Sequence, residues 1–198
     1  AFNGTLWSNN WELDHTEMTS QASQSLLVSN HSYGEGNSSH VNNSSIFGRY
    51  NVDAAELDDL LFTSDKYQPV FAAGNDRNGV DGAPPGTLLN TTKNGYDQLK
   101  HEAIAKNVVV VAAINGMTNY TSSGATSVEP APFSQFGPTD DFRIKPDISA
   151  KGVGVFSSSM EFANSVNEYV TNQGTSMAAP AVTAVFGLWQ QYSRQLWP

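Results

Sequence analysis

Seven consecutive apolar residues, Val108–Ile114, constrain the fold more than any other part of this chain. The run is far shorter than the roughly 20 apolar residues that a membrane-spanning helix needs. A short run that is apolar at every position and rich in valine is typical of a strand buried on both faces of a parallel sheet. Similar runs at Leu26–Ser29, Pro69–Gly74 and Val153–Phe156 predict three further strands of this kind.

Apolar residues at helical spacing predict helices ahead of three of these runs. The first helix is predicted from three residues spaced four apart, Met18, Ala22 and Leu26. Asp53 is expected to cap the second helix, over Ala54–Leu61, with Glu56 as its capping-box partner. The third is expected over Gly95–Lys106, with one apolar face formed by Tyr96, Leu99, Ala103 and Ile104.

A fourth helix is predicted to begin at Ser176. Its apolar stripe comprises Ala178, Ala181, Val182, Val185, Trp189 and Tyr192. Helices that alternate with buried strands predict an α/β fold with a mostly parallel sheet flanked by helices.

Charge and cysteine content exclude several functions. The 198 residues suit one domain, and 19 acidic against 10 basic residues give a formal net charge of -9. This balance argues against a partner such as nucleic acid, whose phosphates require a basic face. The absence of cysteine excludes disulfides, thiolate metal sites and cysteine nucleophiles. Neither a nucleic-acid nor a membrane partner is expected.

The segment Gly174–Pro180 carries the strongest chemical signal, with Ser176 where an irregular stretch becomes a helix. A hydroxyl at a helix N-terminus lies beside free N–H groups and the positive end of the helix dipole, which stabilise developing negative charge. Gly174, two residues before Ser176, permits a tight approach. By itself the pattern also fits an ordinary serine N-cap.

Other motifs accompany Ser176 in a fixed order. Ser29–Gly34, Val70–Asp76, Phe133–Pro138 and Arg143–Ile148 precede it along the chain. Together they resemble the motifs of the subtilisin-like serine proteases, the subtilase family, from about Met18 onward. The resemblance implies a three-layer fold with a mostly parallel sheet, a peptide or protein substrate, and hydrolysis through an acyl-enzyme.

The resemblance also implies roles for individual residues. Ser176 would be the nucleophile, and the Asn75 side-chain amide would donate to the oxyanion together with the Ser176 backbone N–H. Taken alone, Asn75 is better explained as a turn residue after glycine. The substrate-binding walls would be formed by Ser32, Tyr33 and Gly34 on one side and by Ala72, Ala73 and Gly74 on the other.

Two members of the expected catalytic triad are missing from the chain. A subtilase triad runs Asp, His, Ser along the sequence, and neither the Asp motif nor the His motif of the family occurs here. The four histidines, His15, His31, His40 and His101, are each expected to be surface or loop residues. Residues 1–198 are therefore expected to be the C-terminal portion of one catalytic domain, incomplete at the N-terminus. The N-terminal part of the same domain would be its partner, and the chain alone is predicted to be inactive.

Two other functions remain as alternatives. The first is a non-catalytic subtilase-like module that binds peptides without cutting them, although the presence of both Ser176 and Asn75 counts against it. The second is another serine hydrolase of the α/β-hydrolase type. That class needs Gly-x-Ser-x-Gly and a later histidine, whereas Ala178 fills the last position and no histidine follows Ser176.

The resemblance leaves metal sites and location as expectations. No cofactor is needed for the chemistry, but a structural calcium is possible because oxygen-rich loops suit hard cations. The acidic loop residues are Asp76, Asp81, Asp140, Asp141 and Glu161. Family, acidic charge and the lack of cysteine together predict secretion to the extracellular space from a bacterium.

Overall fold

Strands and covering helices alternate along much of the chain. The structure, a computed structural model, describes residues 5–10, 12–34, 43–80, 83–84, 87–89, 93–117, 120–125, 127–159 and 168–197. Its elements are α1 (Asp14–Ser23), β1 (Val28–His31), a 3-10 turn (Ser44–Ile46), α2 (Val52–Thr63), β2 (Gln68–Ala72), a second 3-10 turn (His101–Ile104), β3 (Val109–Met117), β4 (Tyr120–Thr121), β5 (Gly124–Ala125), β6 (Val128–Pro130), β7 (Ile148–Lys151), β8 (Val155–Ser159), β9 (Glu168–Asn172) and α3 (Thr175–Leu196).

The central sheet is mostly parallel, as predicted. Strand β1 pairs with β2 and β2 pairs with β3, both in parallel, and β7 joins β3 in parallel as well. Only β6 runs antiparallel to β3 in this sheet. The three predicted strands at Leu26–Ser29, Pro69–Gly74 and Val108–Ile114 are therefore confirmed, with their carboxyl ends at one edge.

Helices cover both faces of the sheet, which gives three layers. On one face Phe71 and Val110 pack in a buried cluster with Leu57 of α2. On the other face Val70 and Val111 pack with small residues of α3. Because neighbouring residues of a strand point to opposite faces, a strand between two helical layers must be apolar at every position. This explains the continuous apolar runs.

The cap of α2 differs from the prediction. Asn51, not Asp53, precedes the helix, and its side-chain oxygen accepts the Ala54 N–H at 2.9 Å. Asp53 lies in the first turn, where its carboxylate accepts the Asn51 side-chain N–H at 3.0 Å. Both residue types suit a cap, so the sequence pattern could not place the boundary.

The helix predicted over Gly95–Lys106 is wrong. Only His101–Ile104 forms a short 3-10 turn, and Gly95, Asp97 and His101 have positive φ angles of 80°, 59° and 53°. The backbone N–H groups of Asp97 and Gln98 donate to the carbonyls of residues 137 and 136 instead of to their own segment. Tertiary hydrogen bonds therefore replace the helical ones that the apolar spacing predicted.

The strand predicted at Val153–Phe156 does not join the parallel sheet. Strand β8 begins at Val155 and pairs antiparallel with β9 in a separate two-stranded ribbon. The fourth parallel strand is β7, whose residues Ile148 to Lys151 face Val111 to Ile114 of β3. Gly154, with φ 61°, turns the chain away from the sheet between β7 and β8.

Helix α3 packs on the sheet through its first half. Thr175, Ala178, Ala179 and Val182 are buried there, and the helix contacts β1, β2, β3 and β7. The predicted stripe is buried only in part, because Val185, Trp189 and Tyr192 are 59–65% exposed. Within the described part of the chain, no helix has both the length and the apolar character needed to cross a membrane.

Candidate active site

A cavity of about 320 Å³ lies at the carboxyl ends of β1 and β2, beside the N-terminus of α3. This edge is where ligands bind in open parallel sheets. All eight site residues predicted from the sequence line it: Ser32, Tyr33, Gly34, Ala72, Ala73, Gly74, Asn75 and Ser176. The fold thus brings together residues up to 144 positions apart.

Ser176 is the second residue of α3 and is half-buried. Its Oγ donates to the backbone carbonyl of Ser32 at 3.1 Å, and the Ser32 hydroxyl donates to the Ser176 carbonyl at 3.2 Å. Gly174 enters the helix with φ 148°, and its N–H donates to the Gly152 carbonyl at 2.8 Å. The serine is thereby fixed between the sheet and the helix, with its hydroxyl at the helix N-terminus.

The Asn75 side chain is held by Thr175, the residue before the serine. Its Oδ1 accepts the Thr175 N–H at 2.8 Å and the Thr175 hydroxyl at 3.0 Å. The same hydroxyl oxygen accepts the Gly74 N–H at 3.1 Å. Because the amide oxygen is bonded to the start of α3, the Nδ2 group lies beside Gly174, 3.5 Å from where a Cβ would stand on that glycine. A neutral donor is therefore held beside Gly174, two residues before Ser176.

Residues 32–34 and 72–74 form two neighbouring walls of the cavity. His31 faces Phe71 in the register of β1 and β2, so residues 32–34 and 72–74 leave the sheet side by side. Gly34, Ala72 and Gly74 line the cavity with little or no side chain, and the N–H and carbonyl of Gly74 are bonded to Thr175 and Gln135. Such edges can pair with an extended peptide as an added strand does.

The sequence did not predict the far wall of the cavity, Lys100–Ala103. This segment belongs to the stretch that was expected to be helical, and its position depends on bonds to residues 136 and 137. Phe71, Asp76, Gln135 and Thr175 also line the cavity without having been predicted. No local pattern marks these residues, because distant contacts bring them here.

His31 lies behind the first wall and is buried. One ring nitrogen lies 2.6 Å from the Ser29 hydroxyl and the other 2.5 Å from the Tyr33 hydroxyl, and the ring stacks on Phe71. Burial lowers the pKa of His31 to about 4, and burial also raises the pKa of Tyr33. Both ring nitrogens are occupied, so His31 supports the wall and is not placed to take a proton from Ser176.

The other described histidines, His15 and His101, are each bonded to a carboxylate. His15 lies 3.2 Å from Glu56 between α1 and α2, and His101 on the far wall lies 3.2 Å from Asp53. His40 is outside the described residues. The hydroxyl of Ser176 donates to a carbonyl, which cannot retain a proton as a general base does. The arrangement thus places a serine hydroxyl and a neutral side-chain amide at one cavity, with the hydroxyl bonded to a carbonyl.

The described acidic loop residues Asp140 and Asp141 lie beside basic side chains. Asp140 lies 3.9 Å from Lys93, and Asp141 lies 2.8 Å from Arg143, whose hydrogen bond lowers the pKa of Asp141 to about 2. In the described ranges, no group of three or more histidine and carboxylate side chains could hold a metal ion. Asp81 and Glu161 are outside those ranges. The calcium expectation stays a prediction.

Comparison with known proteins points to one family. The model of the subtilase family matches residues 5–198. A "Serine protease/ABC transporter B family protein tagD" from Dictyostelium discoideum is 26% identical over 205 residues, covering 73% of this chain and 11% of that protein. A "C5a peptidase" from Streptococcus pyogenes is 48% identical over 64 residues, covering 32% of this chain and 5% of that protein. The chain thus spans a small part of the curated relatives that it matches.

Two solved structures resemble parts of this chain. The CspB protease of Clostridium perfringens shares 27% identity over 50% of this chain and 18% of its own, with a TM-score of 0.37. The subtilase cytotoxin SubAB shares 18% identity over 91% of this chain and 51% of its own, with a TM-score of 0.49.

Proposed function

The chain belongs to the subtilase family, and from that premise we propose that it carries the nucleophile and the oxyanion site of a serine endopeptidase. In this proposal Ser176 is the nucleophile and Asn75 the oxyanion donor. One observation carries the assignment: the Asn75 amide oxygen accepts both the N–H and the hydroxyl of Thr175, the residue next to Ser176 at the start of α3. Family membership supports serine peptidase chemistry, and therefore peptide or protein substrates, in general.

The proposed reaction proceeds through an acyl-enzyme. The Ser176 Oγ attacks the scissile carbonyl carbon while a general base takes its proton, and the carbonyl oxygen becomes negatively charged. Asn75 Nδ2 and the Ser176 backbone N–H would donate to that oxygen. The base then gives the proton to the leaving amine, the C–N bond breaks, and water later hydrolyses the ester on Ser176.

We propose that the base and its orienting aspartate lie in an upstream part of the same catalytic domain. The Ser176 hydroxyl donates to the Ser32 carbonyl, and the histidines of the described residues are bonded to other groups.

Val185, Leu188 and Trp189 are more than 60% exposed on the outer side of α3. An apolar stripe of this size on one helix marks a surface for another protein segment. The upstream part would cover it.

A second candidate function is a module that binds peptides without cleaving them. The hydrogen bond from Ser176 to the Ser32 carbonyl favours it, since the hydroxyl is engaged with the wall and not with a base. The two walls would still pair with an extended peptide.

Extracellular location and structural calcium are proposals that rest on the family. A net charge of -9 without cysteine is compatible with secretion from a bacterium. Calcium would need oxygen ligands beyond Asp140 and Asp141, because these two lie beside Lys93 and Arg143. Titration with Ca²⁺, followed by thermal unfolding, tests this requirement.

The decisive experiment combines this chain with the segment encoded upstream of it. The chain alone should give no sustained peptide cleavage and little fluorophosphonate labelling. A missing base costs about 10⁶ in kcat, so adding the upstream segment should restore turnover by a factor of that order. In the combined protein Ser176→Ala should abolish labelling, and Asn75→Ala should lower kcat about 10²–10³-fold. Ser193→Ala, at the other end of the same helix, is the matched control.

Each outcome distinguishes the two functions. Peptide binding without cleavage in the combined protein would favour the binding module. Strong labelling of Ser176 with sustained turnover by the chain alone would show that one of its own histidines is the base, and the account of a missing triad would be wrong.

A further inference from the structure

Gln135 is a buried polar residue at the floor of the cavity that the proposed mechanism does not use. Only 3% of it is exposed, and it lies in the segment Phe133–Gly137 that passes beneath the turn formed by Gly74–Asp76. Placing a glutamine amide in the interior costs free energy unless its polar atoms are bonded. The partners of that amide therefore indicate why it is there.

Gln135 is bonded to both neighbours of Asn75. Its backbone N–H donates to the Gly74 carbonyl at 3.1 Å, and its Oε1 accepts the Asp76 N–H at 3.3 Å. Its Nε2 donates to the Gln98 carbonyl at 2.7 Å, just ahead of the far wall. One side chain thus links the turn that carries Asn75 to the segment that closes the opposite side of the cavity.

The fit between Gln135 and Gly74 is close. A Cβ on Gly74 would overlap the Gln135 side-chain amide and stand 2.7 Å from its Cδ. Gly74 also has φ 104°, which residues with side chains rarely adopt. The glutamine amide therefore fills the space that the glycine leaves, and the turn has little room to shift towards it.

We propose that Gln135 is a positioning residue that fixes the Gly74–Asp76 turn and so directs the Asn75 amide. The catalytic part of this inference rests on the proposed function, in which Asn75 binds the oxyanion. The Asn75 oxygen is fixed from the helix side by Thr175, and Gln135 fixes the backbone from the opposite side. Oxyanion donors act through position, and a shift of about 1 Å costs on the order of 10²-fold in rate.

The test uses Gln135→Met, which keeps the length of the side chain and removes both of its hydrogen-bonding groups. Hydrogen exchange of the Thr175 N–H is the direct readout, because that group donates to Asn75 Oδ1. The Asn107 N–H, bonded to Asp58 at 2.8 Å far from the site, is the reference for global opening. We expect exchange at Thr175 to accelerate at least tenfold relative to Asn107.

Gln190→Met is the matched control. Gln190 also donates its side-chain amide to backbone carbonyls, those of Leu27 and Lys66, at the opposite end of the sheet. The Gln190→Met variant should leave the ratio of the exchange rates of the Thr175 and Asn107 N–H groups within twofold of its value in the parent chain. If Gln135→Met does not fold, Gln135→Glu keeps an acceptor for the Asp76 N–H and should give a smaller acceleration at Thr175.

Turnover in the chain combined with its upstream segment is the second readout. Gln135→Met should lower kcat about 10–100-fold at nearly constant KM, whereas a purely structural role would lower the amount of active protein and leave kcat per labelled site unchanged. Unchanged exchange at Thr175 in folded Gln135→Met, or in folded Gln135→Glu, overturns the proposal. A normal kcat in Asn75→Ala instead overturns the proposed function, while the exchange result still decides the role of Gln135.

Discussion

The two halves of α3 differ in how far the rest of the chain determines their surroundings. The first half, Thr175–Val182, contains the buried residues of the helix and carries Ser176 at a fixed position. The second half carries large apolar side chains that are 59–66% exposed: Val185, Leu188, Trp189 and Tyr192. Contacts within this chain thus determine the position of the cleft end, whereas the far end exposes the large apolar side chains that the proposed upstream segment would cover.

This difference separates the part of α3 whose position depends on this chain from the part that the proposal assigns to an interface. Ser176 is bonded to Ser32, just past β1, and Asn75 is bonded to Thr175 at the start of α3. The Gly152 carbonyl holds Gly174 ahead of them, so these partners all lie within this chain. The cleft end should therefore respond to small changes in packing, pH and backbone shape. The far end should tolerate substitution until another segment covers it.

The largest expected effect concerns His31 at the cleft end. Its folded pKa of about 4 lies below the unfolded value of 6.5, so between these values the unfolded state binds more protons. The free energy of unfolding should therefore fall as the pH falls from 6.5 towards 4. The contribution is about 2–3 kcal/mol between pH 7 and 4.5.

Urea unfolding at several pH values measures this contribution. His31→Gln should show a flatter dependence than the parent chain, and His15→Gln on α1 controls for removing a histidine. Equal slopes for the parent and His31→Gln would show that this buried histidine does not carry the pH dependence.

Gly152→Ala should break the packing of the cleft end. A Cβ at this position would stand 2.5 Å from the Ala113 Cβ and 2.7 Å from the Gly174 carbonyl oxygen. Neither neighbour can rotate away, so the start of α3 must shift at a cost of about 1–3 kcal/mol. The urea midpoint should fall accordingly. An unchanged midpoint would mean that the helix start is not tightly packed.

Gly187→Ala is the same substitution at the far end and should have the opposite sign. Nothing lies within 4 Å of a Cβ there, and the residue is in the interior of α3. Alanine should stabilise the helix by about 0.5–1 kcal/mol. A rise in the urea midpoint checks this expectation, and a fall would reveal a close neighbour at the far end.

Leu188→Gln should have the smallest effect on the chain alone. The side chain is 66% exposed, so the free energy of unfolding should change by less than about 0.5 kcal/mol. Val182→Ala, in the buried half, should cost more than about 1 kcal/mol for comparison. With the upstream segment added, Leu188→Gln should weaken association, measured by titration calorimetry. Unchanged affinity would place the interface elsewhere.

Part of the fold could be predicted because a strand that is buried on both faces appears in the sequence as a continuous apolar run. The apolar runs at Val108–Ile114 and Pro69–Gly74 are strands because both faces of the sheet are covered. Ser176 and Asn75 could be singled out because their motifs are local. The cap at Asn51 and the ribbon at β8 were misplaced, since cap residues and apolar pairs fit several structures equally well.

The amino-acid sequence by itself determined the parallel sheet, the helix that begins beside Ser176, and the residue types that offer a nucleophile and a neutral donor. Only the tertiary structure decided how the site is closed. The far wall at Lys100–Ala103 and the amide of Gln135 reach the cavity through hydrogen bonds to residues about 37–60 positions away. Local patterns record which way a side chain faces along its own element. They do not indicate which distant carbonyl will accept a hydrogen bond, because that depends on how the layers pack.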